Sequence, residues 1–510
     1  MTHLPRRAPT RRVLGPALGL ALLVGLTAAC SSGSDGKSAS TTSSTAVAPT
    51  AVKRPAGPAA DLSEQLSGGS GAFLGESQKP DLEKVGYIEE EFAAEGTATS
   101  YAASGELSGD GRWTFAPADS APYRTRVLVR RPKDPERFSG TTVVEWLNVS
   151  GGLDAGPDWT SLEEEIVRRG DAWVGVSAQL IGVEGGPVLV KAPGAEQVVG
   201  KGLKGIDPAR YSSLSHPGDG YAFDIYTQVA RALRNGQGIG GTKSEQVVAA
   251  GESQSAIALT TYYNGVQPLT KQFDGFFVHS RAGVSLPLVG PGEYADLAGS
   301  ITGAQPVVIR NDQVAPVMEL QAETDVTGVL KSIDARQPDT DRFRLWEVAG
   351  TAHADAHLIG PSIAAGIDCG KPINAGPMHL VAKAAYHDLV EWTGGGQAPP
   401  KAARLEVNAD GSSVQRDNDG IALGGIRTPP LDVPVDVLSG VPGPNPDLIC
   451  ILLGSTTPLS AERLAELYPS RAAYEQEYAK DADATIAAGF VLPADRAALA
   501  AFARPDAVGA

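Results

Sequence analysis

The chain has 510 residues, of which 42% are hydrophobic and 20% charged, and its formal net charge is −16. This length is ample for a large buried core, in one elaborated domain or in about three smaller ones. The negative charge argues against a nucleic-acid partner, which would require a basic face. Beyond the N-terminal segment, no apolar stretch is long enough to cross a bilayer.

The first 30 residues predict an export signal of the lipoprotein type. Arginines between Arg6 and Arg12 precede an uncharged apolar stretch over 13–29, and Cys30 follows small residues. Cys30 would become the lipidated N-terminus and anchor the protein to the outer face of the cell membrane. Paired arginines also allow twin-arginine export, so the export route stays open. The alternatives are a plain secretory signal, which would give a secreted protein, and a retained membrane anchor.

Residues 31–58 consist mainly of Ser, Thr, Gly, Ala and Pro, with almost no large apolar side chains. Such a segment cannot bury enough surface to order itself. It predicts a disordered tether that leads to a folded domain over 59–510.

Strand patterns alternate with helix patterns along this domain. Strands are predicted at Gly86–Phe92, Tyr123–Arg130, Thr141–Leu147, Ala172–Ser177, Val247–Ala250, Phe273–Val278, Pro316–Leu320 and Phe343–Val348. Helices are predicted at Trp159–Arg169, Tyr221–Leu233, Ala256–Tyr263 and His379–Trp392. The alternation predicts an α/β fold whose mainly parallel sheet has helices on both faces. The amphipathic early strands predict an antiparallel start to that sheet.

Two stretches interrupt the alternation. Residues 181–220 are rich in Gly and Pro and too long for a simple connector, so they predict a cap inserted over the site. Residues 396–510 form a C-terminal extension, in which a Gly/Pro-rich section precedes a charged helical tail over 460–502.

A serine turn follows the strand at Val247–Ala250. Gly251-Glu252-Ser253-Gln254-Ser255 places a serine between a buried strand and a helix, with small residues two before and two after it. Such a turn exposes the serine hydroxyl and directs helix N–H groups towards an oxyanion beside it. Ser255 stands where glycine is usual.

An exposed serine needs a base to accept its proton and an acid to orient that base. Both must lie at the carboxyl ends of later strands. Pro316–Leu320 leads to Glu323 and Asp325, and Phe343–Val348 leads to His353. The order of serine, acid and histidine favours Ser253 as nucleophile, His353 as base and Asp325 as the acid. Glu323 is the alternative acid.

These features resemble the α/β-hydrolase superfamily, and in particular an exported bacterial family known as the alpha/beta hydrolase domain. The resemblance covers roughly residues 85 to 505 and rests on seven stretches, which are Val143–Val149, Asp207–Tyr211, His216–Asp219, Gly251–Ser255, Glu323–Asp325, Ala349–His353 and Gly424–Pro429. It implies the α/β-hydrolase fold and a Ser-His-acid triad. It implies no agreed substrate.

The site also needs two backbone N–H donors for an oxyanion. Gln254, directly after the nucleophile, would supply one, and Val149, in the loop after Thr141–Leu147, is the candidate for the other. A plain Gly-rich turn is the alternative for that loop. Four further residues are candidates for contact with substrate, with bracing or ion-pairing roles as the alternative: Asn148, His216, His279 and Arg281.

With Cys30 assigned to lipid, Cys369 and Cys450 remain, and an even pair in an exported protein indicates a disulfide. Two buried free thiols are the alternative.

The sequence thus predicts an exported serine hydrolase that cleaves a carboxylic ester, a lactone or a related acyl bond of a small molecule through an acyl-enzyme. No dissociable cofactor and no metal are implied. Two alternatives stay open: a tethered binding lipoprotein that kept the fold without catalysis, and a metal-dependent hydrolase using His353, Asp355 and His357.

Overall fold

The computed structural model describes residues 52–77, 79–191 and 195–509. The export signal, Cys30 and residues 31–51 of the predicted tether lie outside the described residues. Residues 52–58, predicted as the end of the tether, contact the domain: Arg54 pairs with Asp274, and Arg231 donates a hydrogen bond to the carbonyl of Pro58.

A nine-stranded sheet runs through the domain in the order β1-β2-β3-β5-β4-β6-β7-β8-β9. The strands are β1 Asp61–Gln65, β2 Tyr87–Ala103, β3 Phe115–Pro132, β4 Thr141–Trp146, β5 Ala172–Val176, β6 Gln246–Glu252, β7 Gly275–His279, β8 Val317–Ala322 and β9 Phe343–Val348. The pairs from β1 to β2, β2 to β3 and β3 to β5 are antiparallel, and all the later pairs are parallel. The predicted antiparallel start and parallel centre are both present.

Helices connect and cover these strands. They are α1 Pro157–Arg169, α2 Leu180–Glu184, α3 Gly202–Ile206, α4 Pro208–Tyr211, α5 Ala222–Arg234, α6 Gln254–Thr261, α7 Gln267–Thr270, α8 Leu297–Gly303, α9 Glu323–Thr327, α10 Ala356–Ala364, α11 Met378–Thr393, α12 Pro429–Asp432, α13 Leu448–Leu452, α14 Ala461–Leu467, α15 Arg471–Ala487 and α16 Arg496–Ala500. Among the described residues, no helix combines the length and apolar character needed to span a bilayer.

The sheet separates two apolar clusters. One face packs against α5 and α6, and the other packs against α1 and α11. Central strands are covered on both sides, so runs such as Val143-Val144 and Val247-Val248 are fully buried. This burial explains why continuous β-branched runs, rather than alternating ones, predicted these strands.

The antiparallel edge is larger than the sequence predicted. β2 and β3 pair as a long ribbon from Tyr87 to Ala103, whereas the predicted strands covered only their most apolar parts. The rest of the ribbon is rich in Ala, Thr, Ser and Pro. Its apolar and polar residues do not alternate clearly, so the sequence gives no strand signal there. β1 was not predicted, because Leu62 is its only buried residue.

The C-terminal extension is part of the same fold. The backbone of Ile426 bonds to that of Glu347 and Ala349, which continues the sheet edge beyond β9. Phe490 packs its ring edge-on against Trp346 with 5.1 Å between ring centroids. The extension also contains a two-stranded sheet, in which β10 Asp436–Ser439 pairs with β11 Ser455–Pro458.

Candidate active site

Ser253 lies alone between the end of β6 and the start of α6. Its φ of 60° and ψ of −118° place a non-glycine residue in a strained region of the backbone. A Cβ on Gly251 would come within 2.9 Å of the Ser255 Cβ, so the turn requires glycine there. The hydroxyl of Ser253 thus stands clear of the strand and beside the first turn of α6.

The imidazole of His353 bridges this serine and a carboxylate. Its Nε2 lies 2.8 Å from Ser253 Oγ, and its Nδ1 lies 2.7 Å from Asp325 Oδ1. Asp325 is fully buried, and its other oxygen accepts a hydrogen bond from the backbone N–H of Ala322 at 2.6 Å. This second bond fixes the carboxylate against the end of β8. Three side chains that are up to 100 positions apart in sequence therefore form one hydrogen-bonded chain.

Glu323, the alternative acid, points elsewhere. Its carboxylate accepts hydrogen bonds from the backbone N–H groups of Gly350 and Gly440, at 2.8 and 2.9 Å, and pairs with Arg416. It ties the C-terminal extension to the loops after β8 and β9. The geometry therefore places Asp325, and not Glu323, next to His353.

Glu252, which the sequence reasoning did not single out, is a second carboxyl group beside His353. Its Oε1 lies 3.5 Å from His353 Nε2, and the side chain is buried. Burial raises the pKa of Glu252 to about 7, although the charge of His353 opposes this. Burial alone would lower the pKa of His353, but Asp325 and Glu252 outweigh it and raise that pKa to about 9. In the sequence, the only sign that Glu252 belongs to the site is its position directly before Ser253.

The two proposed oxyanion donors differ in availability. Gln254 is the first residue of α6, so its backbone N–H has no partner within the helix. The N–H of Val149 donates to the side-chain oxygen of Gln254 at 3.2 Å. The side-chain nitrogen Nε2 of Gln254 in turn donates to the side-chain oxygen of Gln179. In this conformation the N–H of Val149, the second predicted oxyanion donor, is therefore bonded to the Gln254 side chain.

The four predicted substrate-binding residues, Asn148, His216, His279 and Arg281, are not among the described residues that line the cavities beside Ser253. Asn148 bonds to the carbonyl of Glu252 and braces the loop after β4. Arg281 is fully buried against Glu319.

The two histidines among these four residues are also engaged elsewhere. The Nδ1 of His279 lies 2.9 Å from Asp158 Oδ1. The Nε2 of His216 lies 2.8 Å from the carbonyl oxygen of Ala178. Both side chains are buried among these partners rather than exposed to either cavity.

Two adjoining cavities open beside the serine. One, of about 190 Å³, is lined by Ser253 and His353, and the other, of about 140 Å³, is lined by Val149 and Gln179. Of the described residues in the predicted cap over 181–220, only Ile181 and residues 187–190 line these walls. Its helices α3 and α4 pack instead against β2 and the segment around Leu66. The rest of the roof comes from α8, the segment after α9, and α13.

Helix α13 is fixed to the domain at several points. Cys450, within this helix, forms a disulfide with Cys369. The backbone N–H of Ala354, next to His353, donates to the carbonyl of Leu452 at 3.1 Å. The roof of the cavity is therefore connected directly to the histidine loop.

The histidines considered as metal ligands point in different directions. His357 stacks on His379 with ring centroids 3.7 Å apart, whereas His353 faces Ser253. Asp355 accepts a hydrogen bond from the backbone of Leu358 at the start of α10. Within the described part of the chain, no group of three or more His, Cys, Asp or Glu side chains has the spacing of a metal site.

A mostly parallel sheet flanked by helices, with a serine at a strand-to-helix turn and an acid and a histidine after later strands, defines the α/β hydrolases. The chain belongs to the alpha/beta hydrolase domain family, whose model matches residues 52–501. The predicted fold and family are confirmed.

Solved structures with similar folds include three hydrolases. An α/β serine hydrolase without lid from Xanthomonas campestris is 13% identical, with 51% of this chain and 85% of that chain covered and a TM-score of 0.26. A hyperthermophilic esterase from Pyrobaculum calidifontis is 12% identical, with 44% and 70% covered and a TM-score of 0.25. The esterase domain of a Rhodothermus marinus protein is 10% identical, with 59% and 98% covered and a TM-score of 0.27. No curated protein matches this chain in sequence.

Proposed function

We propose that this protein is an exported serine hydrolase that cleaves a carboxylic ester, a lactone or a related acyl bond. The observation that carries the proposal is the contact of His353 with both Ser253 Oγ and Asp325 Oδ1, at 2.8 and 2.7 Å. A histidine held between a hydroxyl and a buried carboxylate has the geometry required to activate the hydroxyl as a nucleophile.

In the proposed first step, Ser253 Oγ forms a bond to the substrate carbonyl carbon while His353 Nε2 takes the hydroxyl proton. The backbone N–H of Gln254 stabilises the oxyanion, and the N–H of Val149 joins it once the Gln254 side chain moves aside. The bond to the leaving group then breaks, and His353 returns the proton to the leaving oxygen.

Water completes the reaction in the second step. It attacks the acyl-enzyme while His353 Nε2 takes its proton. The bond from the acyl carbon to Ser253 Oγ then breaks, the proton returns to that oxygen, and the acid product leaves. Asp325 keeps the imidazole in the orientation and tautomer that both steps need.

The test combines a fluorophosphonate probe with a panel of model esters. Wild type should be labelled and should hydrolyse at least one ester, whereas Ser253→Ala should lose the label and at least about 10³-fold in kcat, because the nucleophile is gone. Ser255→Ala is the matched control, since it removes a neighbouring buried hydroxyl that has no hydrogen-bond partner among the residues the structure describes. Circular dichroism checks that each variant is folded. Absence of both label and turnover in folded wild type would favour the binding-lipoprotein alternative.

We also propose that Cys30 is lipidated and holds the domain at the outer face of the cell membrane. The arginines and apolar stretch before Cys30 support this proposal. The disulfide between Cys369 and Cys450 is a second support, because disulfides persist mainly in oxidising compartments.

A further inference from the structure

The larger cavity beside Ser253 has almost entirely apolar walls. Its apolar lining includes Leu189, Ile257, Leu297, Ile301, Leu330 and Leu452. The polar lining is limited to small hydroxyl groups, Gln254 and His353. Among the described residues that line this cavity, none is Lys, Arg, Asp or Glu. In the reactive form of the site, in which His353 is neutral, a charged group that entered the cavity would lose its hydration without gaining an ionic partner.

The size of the cavity limits what it can hold. Its volume is about 190 Å³. An apolar protein cavity of roughly 150 Å³ accommodates benzene, so this one has space for about six to eight non-hydrogen atoms. A two-carbon group would leave most of it empty, and a chain of sixteen carbons would extend far beyond it.

The position of the cavity identifies the part of the ligand that it takes. Ser253 and His353 lie in its wall, so a carbonyl carbon bonded to Ser253 Oγ starts at the edge of this space. The smaller cavity is not lined by Ser253 or His353, although it shares Gln254 with the larger one. A substituent attached to that carbon is therefore directed into the larger cavity.

We propose that the substrate of this site is an uncharged ester whose acyl group is apolar and contains about six to eight carbon atoms. The proposal depends on the serine hydrolase function proposed above. Each methylene that enters the cavity should improve kcat/KM by roughly threefold to fourfold until the space is filled. A carboxylate at the far end of the acyl group should cancel this gain.

The test measures kcat/KM for 4-nitrophenyl acetate, hexanoate, octanoate and hexadecanoate, together with the 4-nitrophenyl monoester of adipic acid. We expect hexanoate and octanoate to exceed acetate by at least about 30-fold, and hexadecanoate to fall below octanoate. The adipate monoester matches hexanoate in length but ends in a carboxylate, and should be at least about 30-fold poorer than hexanoate. Equal rates for acetate and octanoate, or for hexanoate and the adipate monoester, would overturn the proposal.

Thr302→Trp tests whether this cavity is the one that binds the acyl group. Thr302 is exposed on α8 and lines the larger cavity but not the smaller one, so the indole should fill space there without disturbing the core. The octanoate-to-acetate ratio of kcat/KM should fall at least tenfold. Val314→Trp is the control, because Val314 is 60% exposed and lies outside both cavities, and its ratio should match wild type.

Two failures are distinguishable. An unchanged ratio in folded Thr302→Trp would assign the acyl group to another cavity and overturn this inference, while ester hydrolysis itself persisted. No hydrolysis of any ester and no fluorophosphonate label in wild type would instead overturn the serine hydrolase function.

Discussion

Glu252 gives the candidate site a second carboxyl group close to the base. A serine nucleophile requires neutral His353, because only the neutral imidazole accepts a proton. With the His353 pKa raised to about 9, most of the imidazole is protonated at neutral pH. Asp325 and Glu252 both favour that charged form, so activity in the free enzyme should increase towards alkaline pH.

Glu252→Gln should therefore move the acid limb of the pH profile to lower pH. The substitution keeps the size of the side chain and removes a negative charge 3.5 Å from His353 Nε2. The His353 pKa should fall by about one unit or more, so the pH at which kcat/KM reaches half its maximum should decrease by the same amount. Measurement of kcat/KM from pH 5 to 10 with a neutral ester checks this. Glu136→Gln, at an exposed position far from the site, is the control. An acid limb of the pH profile that stays in place or moves to higher pH in Glu252→Gln would contradict the influence of Glu252 on the His353 pKa.

At the scale of single elements, the roof of the larger cavity depends on α13. Leu448 and Leu452 line the cavity, and Cys450 between them carries the disulfide to Cys369. The two cysteines are separated by 81 positions in the chain, so the bond removes considerable freedom from the unfolded state.

Replacing both cysteines by serine should lower stability and weaken acyl-chain selection together. Loss of a native disulfide typically costs about 2–5 kcal/mol of unfolding free energy, which should appear as a lower Tm. The octanoate-to-acetate ratio should also decrease, because Leu448 and Leu452 would no longer be held over the cavity. Reductant should lower the Tm of wild type and leave the double variant unchanged. If reductant left the Tm of wild type unaltered, α13 would be held in place without the disulfide.

The elements that carry the reacting groups were the ones that the sequence could predict. Buried runs such as Val247–Ala250 and Phe343–Val348 produce an apolar signal that is independent of distant contacts, and the parallel arrangement brings their carboxyl ends to one edge. The roof could not be predicted in the same way. α8 and α13 are short helices in irregular connections, and their positions depend on long-range packing and a disulfide.

Individual side chains within the predicted loops were harder still. Asp325 and Glu323 both follow β8 and lie two residues apart on α9, and only the three-dimensional arrangement shows that Glu323 binds the backbone of Gly350 and Gly440. Arg281 had the position expected of a substrate ligand, but its guanidinium is buried with Glu319. Sequence order predicts which edge of the sheet a residue lies at. The direction in which its side chain points depends on the side chains and backbone that pack around it.

At the scale of the whole molecule, the family match over residues 52–501 outlines one alpha/beta hydrolase domain, and a segment of different composition precedes it in the sequence. The cap insert and the C-terminal extension both belong to that domain, because each contributes to the walls beside Ser253. The proposed attachment through Cys30 lies outside this domain, so anchoring and catalysis should be separable.

Cys30→Ser should therefore change where the protein is found without changing its chemistry. Lipidation requires the cysteine thiol, so wild type should enter the detergent phase in a Triton X-114 partition and the variant should not. Purified wild type and variant should have equal kcat/KM for the same ester, since residue 30 is not part of the hydrolase domain. Cys369→Ser is the matched control and should leave the partition unchanged. Retention of Cys30→Ser in the detergent phase would indicate an uncleaved membrane anchor, and release of wild type into the medium would indicate a plain secretory signal.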